Sequence, residues 1–428
     1  MKLGIVIIGD EILLGSVTDT NSGEIARAFG PLGFDVTTIS TVGDKAGDIR
    51  AAVERSLDAN DLTITTGGLG PTRDDITKTV LTDIFGGTLA LDTDVLANVE
   101  RIFAERGIRM NELTRSQAMV PTSCTVIQNR YGTAPLMCFE KTVAYDEPEA
   151  PGARRHLICM PGVPFETRGM LPAVTAYVTE HLGTSDKVIH REFTVAGISE
   201  SALAERLAIF EDSLPAGYKL AYLPIPGEIV LRLDSTPNAQ AAEFEEFATA
   251  LTGAVGSYLV GVGKISPAER ALHAMRQHGW TLATAESCTG GNIAHSITDI
   301  AGCSDTFVGA VVSYTNEIKA TVLGVPKDIL DTCGAVSEGT VRHMTEGACR
   351  VCGADCAVAT SGIAGPGGAT PGKPVGTVWI AARTPLGAVE RLYHFPGDRK
   401  AVIERATAAA LALLCELVHA TEATESAQ

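Results

Sequence analysis

Short apolar runs alternate with amphipathic segments over the first 170 residues of the chain. The apolar runs have the length of buried strands, and the segments between them place apolar residues three or four positions apart, as one face of a helix requires. This alternation favours an α/β fold with a doubly wound, mainly parallel sheet, which binds its ligands at the carboxyl ends of its strands. The strand patterns are residues 2–11, 34–44 and 60–71, and the helix patterns are residues 21–33 and 45–59.

The pattern changes twice after this first domain, which we assign to residues 1–170. Residues 171–262 combine strand-like alternation with two amphipathic helices, which is typical of a small α+β module. The segment 261–269, GVGKISPAE, has the composition of a linker. Residues 266–420 return to alternating strand and helix patterns, and therefore predict a C-terminal α/β domain.

Composition and charge exclude several classes of protein. The formal net charge is −17, from 34 basic and 51 acidic residues, which argues against binding nucleic acid or an anionic membrane over the whole surface. Aromatic residues make up 5% of the chain and leave few platforms for stacking bases. The opening apolar run is too short for a secretory signal, and no run reaches the roughly 18 apolar residues of a membrane span. We therefore expect a cytoplasmic protein.

Ten cysteines show no spacing typical of a disulfide framework, so reduced thiols are expected. Cys349, Cys352 and Cys356 form the one cluster along the chain. A zinc or redox site is one interpretation of it. No second cysteine pair stands at zinc-site spacing, and the stretch resembles a helix end entering a turn. Packed free thiols are therefore the favoured interpretation.

A glycine-rich loop follows the third strand pattern, in ITTGGLGPTRDDIT at residues 64–77. Glycines leave backbone N–H groups open to a phosphate, and aspartates offer hard oxygen ligands to a divalent cation. A tight turn before a helix N-terminus would use the same residues, because aspartate there complements the helix dipole. The residues alone favour neither interpretation. The loop's candidate groups are Gly67, Gly68, Gly70, Thr72, Arg73, Asp74 and Asp75.

Four motifs in the last domain suggest nucleophilic chemistry. TAESCTGG at 284–291 offers a serine and a thiol, and SYTNEIK at 313–319 offers a tyrosine and a lysine. A serine hydroxyl is inert until a base takes its proton, and none of the nine histidines lies in these motifs. A desolvated lysine, acting directly or through a tyrosine, can also take the proton from the serine hydroxyl. The remaining motifs are a glycine-rich turn in 360–379 and FPGDR at 395–399.

Each of these motifs also has a plain structural interpretation, as a helix cap, a strand end or a loop. Their occurrence together in one domain favours a site. In that site Gly290 and Gly291 would open a helix and offer N–H groups to an oxyanion or phosphate. Glu286 would orient the loop. Cys288 is the weaker candidate nucleophile, because no histidine partner accompanies it.

The N-terminal motifs resemble those of the CinA family, the competence/damage-inducible proteins. The resemblance is carried by IIGDEILLG, the loop at 64–77, NELTRSQAMVP, NRYGTAPLM and MPGVPFE. It implies a molybdopterin-binding-like domain that binds ADP-ribose and cleaves its pyrophosphate with a divalent metal, Mg, Mn or Co. The metal ligands it implies are Asp10, Asp74 and Asp75. The substrate contacts it implies are Gly67, Gly68, Gly70, Thr72, Asn111 and Gln117.

Two features depart from that family pattern. Leu136 stands where a glycine is expected after GTAP, and 143–156 resembles an insertion. Both are expected near the pocket.

The C-terminal motifs resemble the CinA domain that deamidates nicotinamide mononucleotide (NMN). SCTGG, SYTNEIKATVLGV, GAVSEGT, SGIAGPGGATPGKPVGTVW and FPGDR carry the resemblance over most of 266–415. It implies Ser287 as nucleophile, Lys319 as base and Tyr314 as its helper, the last two roles being exchangeable, and no metal. Small nucleotides are the implied partners of a homodimer, without direct nucleic-acid or membrane binding. The substrate-binding residues it implies are Thr289, Gly290, Gly291, Asn316, Ser361, Gly362 and Arg399.

An alternative function belongs to a different class. The chain could be a non-catalytic, nucleotide- or pterin-binding regulatory protein linked to competence or DNA damage. Turnover of NMN distinguishes the two classes.

Overall fold

A computed structural model describes residues 1–72, 74–143, 153–184, 188–236 and 239–425. The chain forms two compact units. The first comprises Met1–Ile189 with Ser235–Phe244, and the second comprises His190–Asp234 with Glu245–Gln428.

The first unit is built on a six-stranded sheet in the order β2-β1-β3-β8-β7-β6. Strands β2, β1, β3 and β8 run parallel, and β7 and β6 continue the sheet antiparallel. A separate antiparallel pair joins β4 and β5. The strands are β1 (Lys2–Ile8), β2 (Asp35–Val42), β3 (Leu62–Thr66), β4 (Leu89–Leu91), β5 (Met119–Pro121), β6 (Thr125–Ile127), β7 (Leu136–Val143) and β8 (Ala153–Met160).

Helices cover both faces of this sheet, as a doubly wound arrangement requires. Apolar residues of α2 and α7 pack on one face, and those of α3 and α4 pack on the other. Helix α7 runs through residue 170, at which the first domain was expected to end, and buries Leu171, Val174 and Val178 against the first sheet. The helices are α1 (Asp10–Leu13), α2 (Asn21–Phe29), α3 (Ala46–Ala59), α4 (Thr77–Phe85), α5 (Thr93–Glu105), α6 (Glu112–Arg115) and α7 (Pro164–His181).

The second unit begins with a four-stranded antiparallel sheet in the order β10-β11-β9-β12. Its elements alternate as strand, helix, two strands, helix and strand, which is the ferredoxin-like arrangement. The Arg270 guanidinium contacts the buried Glu228 carboxylate and fastens β11 to the helix that follows the module. The elements are β9 (His190–Ala196), α8 (Glu200–Ser213), β10 (Lys219–Ile225), β11 (Glu228–Asp234), α9 (Ala241–Val255) and β12 (Leu259–Val262).

The rest of the second unit is an α/β fold on a five-stranded sheet, β14-β13-β15-β16-β17. The first three strands are parallel, so their carboxyl ends meet at one edge. The helices are α10 (Pro267–His278), α11 (Asn292–Thr298), α12 (Asn316–Thr321), α13 (Lys327–Thr332), α14 (Glu338–Cys352) and α15 (Arg399–Glu425). The strands are β13 (Leu282–Glu286), β14 (Phe307–Val312), β15 (Cys356–Gly362), β16 (Thr377–Thr384) and β17 (Gly387–His394).

All ten cysteines are free thiols. Cys349 and Cys352 lie in the last turn of α14, and Cys356 is buried at the start of β15. Burial raises the pKa of Cys356 to about 12. Over the described residues no group of three His, Cys, Asp or Glu side chains is arranged to hold a metal. The packed-thiol interpretation of this cluster is therefore the one the structure supports.

Among the described helices none has both the length and the apolar character needed to cross a membrane.

Candidate active site

A serine and a lysine meet where β13 and β14 end. Lys319 Nζ lies 2.9 Å from Ser287 Oγ and 2.7 Å from the Ser313 carbonyl oxygen. The Lys319 side chain is 1% exposed, and this burial lowers its pKa to about 8. At that pKa a substantial fraction of the amine is neutral near physiological pH and can accept the serine proton.

The local sequence explains how this contact forms. The Thr315 hydroxyl accepts from the Ile318 N–H and caps α12, so Tyr314 precedes the helix and Lys319 lies within it. The Ser313 N–H donates to the Glu286 carbonyl at 2.8 Å, which ties the end of β14 to the end of β13.

Tyr314 and Arg399 form a second pair at the opening of the site. Arg399 Nη2 donates to the Tyr314 hydroxyl at 2.9 Å, and Nη1 donates to the Gly365 carbonyl at 2.8 Å. Tyr314 is 59% exposed. Among the described residues, the lysine amine and not the tyrosine hydroxyl contacts Ser287. The geometry therefore favours Lys319 over Tyr314 as the base.

Glu286 holds the start of α11. Its fully buried carboxylate accepts the N–H groups of Gly291 at 2.9 Å, Ile293 at 3.0 Å and Ala294 at 2.8 Å. The Gly290 N–H donates to the Ser287 carbonyl at 3.2 Å. The expectation that Gly290 and Gly291 offer N–H groups to an oxyanion or phosphate is therefore wrong, because internal acceptors occupy both. Their positive φ angles, 63° and 101°, instead turn the chain from β13 into α11.

These side chains surround a cavity of about 230 Å³. The expected site residues that line it are Ser287, Tyr314, Asn316, Lys319, Ser361, Gly362 and Arg399. Thr289 does not line it, because its hydroxyl is buried against the Thr360 hydroxyl at 2.7 Å. The lining residues to which sequence reasoning gave no role are Ala335, Val336 and Ala364, and Cys288, the weaker candidate nucleophile, also lines the cavity. The signal for two of them is GAVSEGT, a motif of the resemblance to which no role was given.

Two residues that line the cavity, Ser361 and Cys288, carry groups that are poorly suited to attack a substrate. The Ser361 hydroxyl donates to the Ala335 carbonyl at 2.7 Å and so positions the loop before α14. Burial raises the pKa of the Cys288 thiol to about 12, which keeps it protonated. A protonated thiol is a poor nucleophile, so Ser287 is the better candidate.

The first unit contains a larger cavity, of about 550 Å³, beside the ends of β1 and β3. The expected residues that line it are Gly67, Gly68, Gly70, Asp74, Asp75 and Gln117. Lining residues that were not expected include Glu11, Asp44, Ala134, Gly162 and Glu166. Asp10, Thr72 and Asn111 are not among the described residues that line it.

Several of these residues shape the loop itself. The Asp75 carboxylate accepts the Gly70 N–H at 2.7 Å and the Thr72 N–H at 2.9 Å, so Asp75 and Thr72 are partners of each other. A Cβ atom at Gly67 would lie 2.0 Å from the Ile8 carbonyl oxygen. Asn111 accepts from the Thr114 N–H at 2.8 Å and caps α6. Gly67 therefore allows close packing of the loop on β1, and Asn111 serves a helix.

The carboxylates near this cavity do not form a metal site as they stand. Asp10 and Asp44 exchange hydrogen bonds between N–H groups and carboxylates, at 2.8 and 3.3 Å. Burial raises the pKa of Asp44, and the carboxylates of Asp10, Glu11 and Asp74 raise it further. Over the described ranges no three potential ligands are arranged around a common point. The implied ligand set Asp10, Asp74 and Asp75 therefore does not fit a metal in this geometry.

The two departures from the family pattern have different outcomes. Leu136 is fully buried in the core under α2 and α7 and does not line the cavity, whereas Ala134 does. The expectation that Leu136 lies at the pocket is therefore wrong. The centre of the insertion-like stretch, residues 144–152, lies outside the described residues.

Comparison with known proteins covers nearly the whole chain. A family model described as the CinA C-terminal domain matches residues 264–418, one described as a probable molybdopterin binding domain matches 4–181, and one described as the damage-inducible protein CinA KH domain matches 190–261. A CinA-like protein of Cytophaga hutchinsonii is 41% identical over 382 residues, 88% of each chain. The chain belongs to the CinA family. A second CinA-like protein, of Gemmatimonas aurantiaca, is 40% identical over 96% of this chain and 95% of the relative.

Solved structures match single CinA domains. A crystal structure of a CinA superfamily protein from Klebsiella pneumoniae is 38% identical, with a TM-score of 0.35, and covers 36% of this chain and 96% of its own. The CinA C-terminal match spans every residue that lines the 230 Å³ cavity. The molybdopterin-binding match spans every residue that lines the 550 Å³ cavity.

Proposed function

We propose that the C-terminal domain is a nicotinamide-nucleotide amidohydrolase. It converts NMN and water to nicotinic acid mononucleotide and ammonia, and so recycles a pyridine nucleotide towards NAD. The observation that carries the proposal is the 2.9 Å contact between Ser287 Oγ and the buried Lys319 amine. The resemblance of the surrounding motifs to NMN deamidases names the substrate.

The residues of the site supply each proton transfer. Neutral Lys319 takes the Ser287 proton as Oγ bonds to the amide carbon. The protonated amine then gives its proton to the departing nitrogen, the C–N bond breaks and ammonia leaves. Water, deprotonated by Lys319, attacks the resulting ester, and Ser287 recovers its proton as nicotinic acid mononucleotide is released. The reaction needs no metal.

The substrate's phosphate provides a test of the proposal. NMN and nicotinamide riboside carry the same amide on the same positively charged pyridinium ring and differ only in the phosphate, whereas nicotinamide has a neutral ring. We expect purified full-length chain to release ammonia from NMN with a kcat/KM at least 100-fold above that for the riboside, from roughly 3 kcal/mol of charge-assisted hydrogen bonding to phosphate. Equal rates for the three compounds, or no ammonia from any, would overturn the substrate assignment.

Arg399 is the phosphate-binding residue in this account. Its guanidinium lines the cavity and is held by Gly365 and Tyr314. We expect Arg399→Leu to raise KM for NMN about tenfold or more with a smaller change in kcat, because the contact is the same in ground and transition states. Arg405→Leu, on the same helix, is the matched control. A loss confined to kcat would remove Arg399 from the binding role.

We propose, second, that the N-terminal domain binds ADP-ribose. The supporting observation is a cavity of about 550 Å³ at the carboxyl ends of parallel strands, the usual ligand position of such sheets. For the whole protein we propose a cytoplasmic homodimer that binds two small nucleotides, NMN and ADP-ribose, and no nucleic acid.

We expect ADP-ribose to bind with and without EDTA in calorimetry, since the described part of the chain contains no preformed metal site. A pterin that binds while ADP-ribose does not would favour the regulatory alternative.

A further inference from the structure

A small cavity of about 60 Å³ adjoins the larger cavity of the first unit. Ile8, Glu11, Gly162 and Pro164 line both. Asn21, the first residue of α2, lines the smaller one and is 6% exposed. Among the described residues nothing donates a hydrogen bond to its buried Oδ1 atom. An unpaired buried acceptor destabilises the folded state. Its presence here indicates that a bound molecule, which is not part of the chain, donates a hydrogen bond to Asn21 Oδ1.

The neighbours of Asn21 fix which way its amide faces. Nδ2 donates to Thr66 Oγ1 at 2.9 Å and to the Gly162 carbonyl at 2.8 Å. The Thr66 hydroxyl donates its hydrogen to the Pro161 carbonyl at 2.8 Å, so its oxygen accepts the hydrogen bond from Asn21 Nδ2. Turning the amide over would place two oxygen atoms against each other at Gly162. Oδ1 is therefore a fixed acceptor.

The lining of this cavity selects donors. Its lining includes two acidic residues, Glu11 and Asp19, as well as Asn21, and no Lys, Arg or His is among its described lining residues. Asp19 Oδ1 accepts the N–H groups of Asn21 at 2.9 Å and Ser22 at 3.2 Å, which holds the wall in place. Hydroxyl groups suit such a lining, because they can donate hydrogen bonds to carboxylate oxygens and to Asn21 Oδ1.

The size of the cavity limits the group further. About 10–15 Å³ of such space holds one water-sized group, so 60 Å³ admits a few non-hydrogen atoms. Two neighbouring hydroxyl groups fit this space, and a purine base does not. Because the two cavities share a wall, one ligand can place a group here and the rest of its atoms in the larger cavity.

We propose that Asn21, with Glu11, forms a subsite for the vicinal hydroxyls of a ribose ring. This rests on the proposed binding of a ribonucleotide by the N-terminal domain. Asn21 Oδ1 accepts one hydroxyl, and the rest of the ligand lies in the 550 Å³ cavity. A ribose phosphorylated at its 5-position is the unit common to both halves of ADP-ribose, so the subsite selects ribose over deoxyribose in either orientation.

Calorimetry with ribose 5-phosphate and 2-deoxyribose 5-phosphate tests the subsite on the full chain. We expect the wild-type chain to bind the ribose compound at least tenfold more tightly. Asn21→Leu and the smaller Asn21→Ser should bring that ratio close to one. Asn60→Leu is the matched control, because Asn60 is equally buried in the same unit, has both amide ends paired and lines neither cavity.

The outcomes separate this proposal from the proposed function. Equal affinity for the two sugars, no binding of either, or a ratio that survives in both folded Asn21 variants overturns the subsite; a buried water would then be the partner of Oδ1. Selective binding of ribose 5-phosphate without binding or cleavage of ADP-ribose would leave the subsite standing and overturn only the ADP-ribose assignment.

Discussion

Ser287→Ala is expected to lower kcat for NMN by on the order of 10⁴-fold or more, with little change in KM. Removal of a nucleophile that acts with its base costs about as much as removal of the whole catalytic group. Residual binding to the cavity should persist, because Arg399 and the loop before α14 remain in place. Ammonia release measured at saturating NMN checks the effect on kcat directly.

Ser296→Ala is the matched control for this variant. Its hydroxyl donates to the Ile293 carbonyl within α11 and does not line the cavity. We expect wild-type rates from it. A Ser287→Ala protein with more than a few per cent of wild-type activity would show that another group attacks the amide.

Lys319→Met should lower kcat by roughly 10²- to 10⁴-fold, the usual contribution of a general base. The side chain keeps its length and apolar stem, and loses only the amine that contacts Ser287. In the wild type kcat/KM should rise tenfold per pH unit below about pH 8 and level off above it, because the amine must be neutral to accept the proton. Lys327→Met, an exposed lysine on the next helix, should keep the wild-type rate and profile.

Lys319→Met should raise the stability of the folded state near neutral pH, although it lowers kcat. The folded-state pKa of Lys319 lies near 8, below its ordinary 10.5, so the folded state disfavours the charged amine. This cost is fully present below pH 8 and disappears as pH rises from about 8 to 10.5. The Tm of Lys319→Met relative to wild type should therefore be highest near pH 7 and fall by pH 10. A flat or rising difference would contradict the lowered pKa.

The fold could be predicted to the extent that local pattern determines it. Alternating apolar runs and helical spacing are sufficient for the mainly parallel N-terminal sheet, because buried parallel strands are apolar throughout. In the C-terminal domain three of the motifs lie after β13, β14 and β15, and parallel strands bring such ends together. The pairing of Ser287 with Lys319 followed from the chemistry of the two residue types, together with the family resemblance.

The parts that could not be predicted depend on tertiary hydrogen bonds. Nothing local shows that Glu286 accepts the Gly291 N–H and the Ser287 carbonyl accepts the Gly290 N–H, which removes both groups from ligand binding. The sequence predicted Asp75 as a metal ligand and Thr72 as a substrate contact, but the Thr72 N–H donates a hydrogen bond to the Asp75 carboxylate. Ala335 and Val336 carry no reactive group, so the GAVSEGT motif gave them no role until the cavity showed that they line it.

The most direct test of the central claim is the stoichiometry of NMN turnover by the full chain, measured with and without EDTA. Ammonia and nicotinic acid mononucleotide would be quantified together over one time course. Because Ser287 and Lys319 supply all the chemistry in this account, we predict one molecule of each product per NMN consumed, at a rate that EDTA does not change. NMN left intact, or a rate abolished by EDTA and restored by a divalent metal, would contradict it.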